Sequence, residues 1–263
     1  MKPADFAARY GPWALVTGAS DGIGEAMARE LTARGLSLVL CARRAPRLDA
    51  LGAELSRRHG IACRSVALDL ADPAQQHRLH EACAPLDIGL LVAAAGFGSA
   101  GPWLTCDVAG QASMLAVNCG AVLAQCGWLA PRLAARGHGG LMLMSSIVAF
   151  QGCPGSAHYA ATKAWVQTLA EGLHAELGPL GVDVLAVAPG PVASGFGARA
   201  GMRLDGATPP AAIAAAALRA LPHGGTSRPG TRARLLGWSL ATAPRALRVR
   251  LMGRIMARLT MAA

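Results

Sequence analysis

A chain of 263 residues that is 53% apolar and only 15% charged buries enough surface to offset its ordering entropy, which excludes intrinsic disorder; 32 glycines without a three-residue period exclude collagen. Seven cysteines, at 41, 63, 83, 106, 119, 126 and 153, form no C-x-x-C pair, so neither a disulfide framework nor a zinc site is expected, and the compartment reads as reducing and cytoplasmic. The net charge of +10 is unevenly spread: residues 206–263 hold nine arginines and no acidic residue, which points to an acidic partner for the tail rather than to a basic catalytic region or a nucleic-acid binder.

Residues 1–10 carry Lys2, Asp5 and Arg9 and lack the apolar run of a secretory signal, so an intracellular start is expected. Apolar runs rich in Val and Leu then alternate with helical patterns, the mark of βαβ units. Strands are predicted at Trp13–Thr17, Ser37–Cys41, Cys63–Leu68, Ile88–Ala94, Gly140–Ser145 and Val182–Ala188, and helices at Gly22–Ala33, Pro46–His59, Pro73–Ala84, Asp107–Ala135 and Tyr159–Leu177. Val108–Pro131 carries no charge, yet Gln111, Ser113, Asn118 and Gln125 interrupt it, so it reads as a buried core helix rather than a membrane span. The expected fold class is α/β: one doubly wound Rossmann-type domain with a parallel sheet. Residues 1–205 form its main body and residues 206–263 a helical, Arg-rich C-terminal extension. In that extension Thr208-Pro209-Pro210 opens a short Ala-rich helix that Pro222 and Gly224-Gly225 stop.

The first strand runs into Thr17-Gly18-Ala19-Ser20-Asp21-Gly22-Ile23-Gly24 and a helix. Glycines at 18, 22 and 24 let a phosphate approach the backbone amides of a helix N-terminus, so this loop is the candidate cofactor cradle. The same residues match the G-x-S-x-G nucleophile elbow, and Asp183 or Asp205 followed by His223 gives a hydrolase chain order. That alternative, a serine hydrolase using Ser20, lacks an earlier segment for an oxyanion hole. The second strand ends in Arg43-Arg44, where an acidic residue would suit an adenosine ribose and arginine forks suit a 2′-phosphate, so NADP is expected over NAD.

Tyr159 and Lys163 lie four apart, on one helical face. The chain has 23 arginines but only two lysines and two tyrosines, so a lysine at this spacing stands out. An ammonium beside a phenol favours the phenolate, so a lowered Tyr159 pKa is expected. Ser146 ends the preceding strand at the carboxyl edge, where sites of open sheets form.

Together the glycine loop, the strand-end Ser146, Tyr159-x-x-x-Lys163 and a later Pro189-Gly190 resemble the short-chain dehydrogenase/reductase family over roughly residues 10–200. The resemblance implies that Tyr159 is the acid/base, that Lys163 binds the nicotinamide ribose and tunes Tyr159, and that Ser146 holds the carbonyl or alcohol oxygen. It implies that Asn118 completes a proton relay and that Asp69 contacts adenine. Pro189, Gly190, Val192 and Ser194 would meet the carboxamide, and Gly96 would keep a backbone contact to the cofactor. The family's Asn-Asn-Ala-Gly is Ala93-Ala94-Ala95-Gly96 here, so braces at the end of the fourth strand are expected to be missing. Ser227–Thr231 is the candidate terminal strand. Ser-Asp-Gly in the loop and Ala-Arg-Arg after the second strand look most like the branch of 3-oxoacyl-thioester and 17β-hydroxysteroid reductases.

The implied activity is hydride transfer between NADP(H) and a small hydrophobic carbonyl or alcohol, with Phe150, Phe196, Met202 and Leu204 as candidate pocket residues and a homodimer or homotetramer as the expected assembly. An alternative is a dinucleotide-binding scaffold or sensor without turnover. Cys153 and His158 flank the site and are expected only to pack. The tail, Arg245–Met261, reads as a helix with Arg250, Arg254 and Arg258 in one row and Val249, Leu251, Met252, Ile255, Met256 and Leu259 over the opposite arc. It is expected either to pack as a lid or interface element or to make peripheral contact with an anionic membrane surface.

Overall fold

The computed structural model describes residues 1–203, 206–231, 233–235, 237 and 242–260. Seven parallel strands form its sheet: β1 (Trp13–Thr17), β2 (Ser37–Ala42), β3 (Cys63–Ala67), β4 (Ile88–Ala93), β5 (Gly139–Met144), β6 (Val182–Val187) and β7 (Gly225–Ser227). Their order is β3-β2-β1-β4-β5-β6-β7, so the chain reverses its direction of travel across the sheet between β1 and β4. Ligands of open α/β sheets bind at the carboxyl end of such a switch point.

Helices cover both faces, which is why the strands read as continuous apolar runs. On one face Ala14, Val16, Leu38, Leu40, Leu90, Val92, Leu185 and Val187 pack against α1 (Pro3–Tyr10), α2 (Gly22–Thr32), α3 (Ala45–His59) and α9 (Pro210–Ala220). The alternate residues Leu15, Val39, Leu91, Leu141, Leu143, Val184 and Ala186 meet α4 (Pro73–Cys83), α6 (Ala121–Arg136) and α7 (Ala157–Leu177) on the other. Past the short α8 (Phe196–Arg199), the residues after 206 thus join the main body: β7 pairs with β6, and α9 buries Ile213, Ala214 and Ala217 beside Met27 and Leu31 of α2.

The long uncharged stretch is a core element, with Val122, Cys126, Leu129 and Leu133 buried against the sheet. It is divided: α5 (Val108–Leu115) is capped by Asp107 and joins α6 through a π-helical turn, Ala116–Gly120, in which Asn118 is buried. The terminal strand falls at Gly225–Ser227, ahead of the predicted Ser227–Thr231, because its ladder is set by Leu185, Ala186 and Val187 of β6. α1 has no sequence signature of its own. It is fixed by Tyr10, whose buried hydroxyl donates to Asp183 Oδ2 at 2.5 Å, and by Arg9, which forks onto the same carboxylate at 2.6 and 2.9 Å.

Candidate active site

A cavity of about 540 Å³ opens at the carboxyl edge of the sheet and runs from Arg43 and Asp69 to Tyr159 and Lys163. The glycine loop forms one wall with Gly18, Ser20, Gly22, Ile23 and Gly24, and Gly96, Pro189, Gly190, Val192 and Ser194 line it further along. Two of the loop glycines adopt positive φ, 69° at Gly18 and 58° at Gly22. A Cβ on Gly18 would lie 2.8 Å from the Ala94–Ala95 backbone, and one on Gly24 only 2.3 Å from Gly18 O, so these positions exclude any side chain. Asp21, the N-cap of α2, makes no side-chain bond to the helix, which leaves first-turn amides for an anion. Cavity size, free helix-end donors and close-packed backbone together fit a dinucleotide.

At the far end β5 delivers Ser146 and the first turn of α7 delivers Tyr159, one helical turn before Lys163. Burial pushes the Tyr159 phenol up to about 12; a hydrogen bond with Ser146 acts against this, while Cys153 adds to it. The expected lowering by Lys163 is absent, and the geometry gives the reason. Lys163 Nζ lies 5.8 Å from the centre of the Tyr159 ring and donates to Met144 O at 2.8 Å instead. Burial brings Lys163 itself down to about 8, with Cys119 pulling the other way. The protein alone therefore holds Tyr159 as a protonated phenol at neutral pH, the form that donates a proton.

Asn118 does not line the cavity. Its Nδ2 donates to Phe97 O (2.9 Å) and Thr162 Oγ1 (3.0 Å), and its Oδ1 accepts from Phe97 N (3.1 Å). It therefore braces the segment after β4 against α7. Thr17 Oγ1 adds a second brace by accepting from Ala95 N at 3.3 Å. The support expected to be lost with Ala93-Ala94 is supplied from β1 and the π turn.

At the other end of the cavity Arg43 reaches to 3.9 Å from Asp69 with most of its side chain exposed, whereas Arg44 grips the glycine loop, donating to Ser20 O and Oγ, both at 3.0 Å. Asp21, an acid close to the expected 2′-phosphate position, faces Arg199 at 3.6 Å and Arg44 at 4.0 Å, so its charge is countered locally.

The last described helix, α10 (Arg245–Leu259), places Met252, Ile255, Met256 and Leu259 in the cavity wall beside Met202 and Phe196. These residues join Ile147, Val148, Tyr159 and Ala160 in a third apolar cluster, separate from the two sheet faces. Phe196 meets the Tyr159 ring at 5.5 Å between centroids, and a Cβ on Gly98 would lie 2.7 Å from the tip of Phe196 and 3.2 Å from the Tyr159 ring, so a side chain there would press on both rings.

A family model described as short chain dehydrogenase matches residues 12–203. The chain belongs to this short chain dehydrogenase family. It is 36% identical over 181 residues to a very-long-chain 3-oxoacyl-CoA reductase of Podospora anserina, a match over 67% of this chain and 53% of the relative, so the chain spans about half the length of that protein. It is 31% identical to a 7beta-hydroxysteroid dehydrogenase of Clostridium sardiniense over 71% of either chain. Among solved structures, a short-chain dehydrogenase from Sphingobium yanoikuyae in complex with NADPH superposes with a TM-score of 0.81 at 32% identity, covering 88% of this chain and 93% of that one.

Within this short chain dehydrogenase the hydrolase alternative fails. Ser20 Oγ is held by Arg44 at the carboxyl edge, whereas Asp183 is bound to Tyr10 and Arg9 near the start of β6, at the opposite edge, and His223 is exposed. Asp205, the other candidate acid, and Leu204, a candidate pocket residue, lie outside the described residues. Phe150 does not line the cavity; the Arg228 guanidinium covers its ring at 4.3 Å. Cys153 packs in the third cluster, and His158 bonds to Gln111 O at 3.0 Å. Sequence reasoning missed Arg199, Thr17 and Gly98. Gly98 alone carried a local signal, as a glycine just past the end of a buried strand.

Proposed function

We propose that this short chain dehydrogenase is an NADP(H)-dependent oxidoreductase acting on the carbonyl or secondary alcohol of an apolar substrate. The observation that carries the reading is the convergence of Ser146, Tyr159 and, one turn further along α7, Lys163 on the apolar end of a cavity whose other end is a glycine cradle with free helix-end amides. NADPH, when bound, supplies the hydride. Gly18, Ser20, Gly22, Ile23 and Gly24 would hold its diphosphate, Arg43 and Arg44 its 2′-phosphate, and Pro189 to Ser194 its nicotinamide end. In reduction Tyr159 gives its phenolic proton to the substrate oxygen as negative charge develops there, and Ser146 donates a hydrogen bond to the same oxygen. Asn118 acts by holding the floor of the site in position. The NADPH complex of the solved relative supports the cofactor choice, and the names of the relatives support a lipid-like or steroid-like ketone.

The test is a panel of apolar ketones and alcohols followed by NADPH absorbance. Tyr159→Phe is expected to bind NADPH as before and to lose at least ~10²-fold in kcat. Full turnover in that variant overturns the mechanism, and no turnover of any compound by the wild type leaves the scaffold reading.

A further inference from the structure

The two faces of α10 differ. Its apolar side closes the cavity through Met252, Ile255, Met256 and Leu259. On another side Leu247, Arg250, Arg254 and Arg258 follow the i, i+3, i+7, i+11 spacing that keeps residues in one stripe, and all four are exposed. None of these arginines has an ion pair among the described residues, and the sequence supplies no acid after Asp205. Leu247, 46% exposed, sits within the stripe. The helix rests on the segment before α7: a Cβ on Gly253 would lie 3.2 Å from Pro154, and one on Gly152 3.4 Å from Val249. The next residue of that segment, Gly155, accepts from Gly101 N at 2.8 Å, and close behind Gly101 come Trp103 and Leu104, 60% and 96% exposed.

We propose that the arginine-bearing face of α10 docks the protein on an anionic lipid bilayer, so that an apolar substrate dissolved there reaches the cavity that the same helix roofs. The docking stands on charge and exposure alone; the delivery rests on the oxidoreductase reading. Three guanidinium groups along about 12 Å of helix match a layer of anionic headgroups, and the exposed Leu247 in the same stripe gains by entering the interface. A nucleic acid satisfies the arginines equally but offers nothing to the exposed Leu247 within the stripe. Because the apolar arc of α10 is spent on the cavity, attachment is by charge, and exposed charges are screened over a Debye length of about 8 Å at physiological salt.

The experiment is vesicle flotation of the full chain with phosphatidylcholine alone, with phosphatidylcholine doped with phosphatidylserine, and with a single-stranded RNA homopolymer as competitor. The protein is expected to float with the doped vesicles only, to be released as salt is raised, and to be little displaced by RNA. The triple variant Arg250→Glu, Arg254→Glu, Arg258→Glu is expected to weaken binding at least ~10²-fold, since each basic residue near an anionic surface is worth about fivefold. Arg→Gln at the same positions changes binding in the same direction by less, which guards against misfolding of the charge-reversed protein, as does circular dichroism of both. Absence of flotation, equal flotation of the variants, or binding to RNA without binding to vesicles overturns the docking. For delivery, a ketone presented in doped vesicles is expected to be reduced faster by the wild type than by the triple variant, while a water-soluble ketone is reduced equally. Equal rates on the vesicle-borne ketone overturn delivery. Flotation without turnover of any ketone refutes the oxidoreductase reading and leaves docking intact.

Discussion

Lys163 gives the cofactor-free protein a pH signature. Burial depresses its pKa from 10.5 to about 8, so the fold disfavours its charged form. Between those two values the unfolded chain keeps the proton and the folded protein releases it, so this residue adds stability as pH rises through the window and costs a constant amount below it. The stability difference between wild type and Lys163→Met is therefore expected to move in the wild type's favour between about pH 8 and pH 10, measured by urea unfolding at both values. A difference that stays flat removes the burial argument. The arginine pair is tested by ligand binding: Arg43→Ala is expected to weaken NADPH by about 10- to 100-fold and NADH little, because only the former loses a charge-assisted contact of about 1.5–3 kcal/mol. Arg44→Ala is expected to weaken both, since Arg44 also holds the glycine loop through Ser20. Equal losses on Arg43→Ala disprove its assignment. Tyr159, Lys163 and Ser146 were legible because helical spacing and strand ends are local properties, and because lysine and tyrosine are scarce in this chain. The fate of the Tyr159 pKa was not. It is decided by burial and by the turn of Lys163 towards Met144, and spacing along α7 fixes neither.

Among the elements, the six longer strands were legible from their apolar runs, and their ends moved by only a residue or two. α1 was not, because its stabilising partner lies far along the chain. Phe6 and Tyr10, four residues apart, are its two buried residues, and Asp183, more than 170 positions away, binds the Tyr10 hydroxyl. Tyr10→Phe keeps the ring and the Arg9–Asp183 pair and loses one charge-assisted bond, so a cost of about 1–3 kcal/mol in urea unfolding is expected. NADPH affinity is expected to stay unchanged, because Asp183 opens β6 at the edge opposite the cavity. A change in affinity without a change in stability contradicts this division. The same logic explains why the substitution of Ala93-Ala94 misled: the braces that replace it come from Thr17, 78 residues away, and from Asn118 in a π turn that periodicity does not distinguish from the surrounding helix.

At the scale of the molecule, the sequence states that α10 has an apolar arc but not what covers it. The structure answers with the cavity, and this changes what truncation does. Removing residues 245–263 takes away four residues of the cavity wall and leaves Tyr159, Phe196, Ile147 and Met202 without the helix that shields them. The glycine loop, Arg43 and Asp69 belong to the other end and keep their supports in β1, β2 and β3. The truncated protein is accordingly expected to bind NADPH with close to full affinity, to lose most of its kcat/KM for apolar ketones, and to bind an apolar fluorescent dye that the full chain ignores. Met256→Ala separates roof from scaffold: it opens the wall at one buried side chain, and is expected to raise KM for an apolar ketone more than it lowers kcat, at a stability cost of about 2–5 kcal/mol typical of emptied methionine sites. If truncation abolishes NADPH binding as well, α10 holds the whole domain together and its role reaches beyond the substrate end of the cavity.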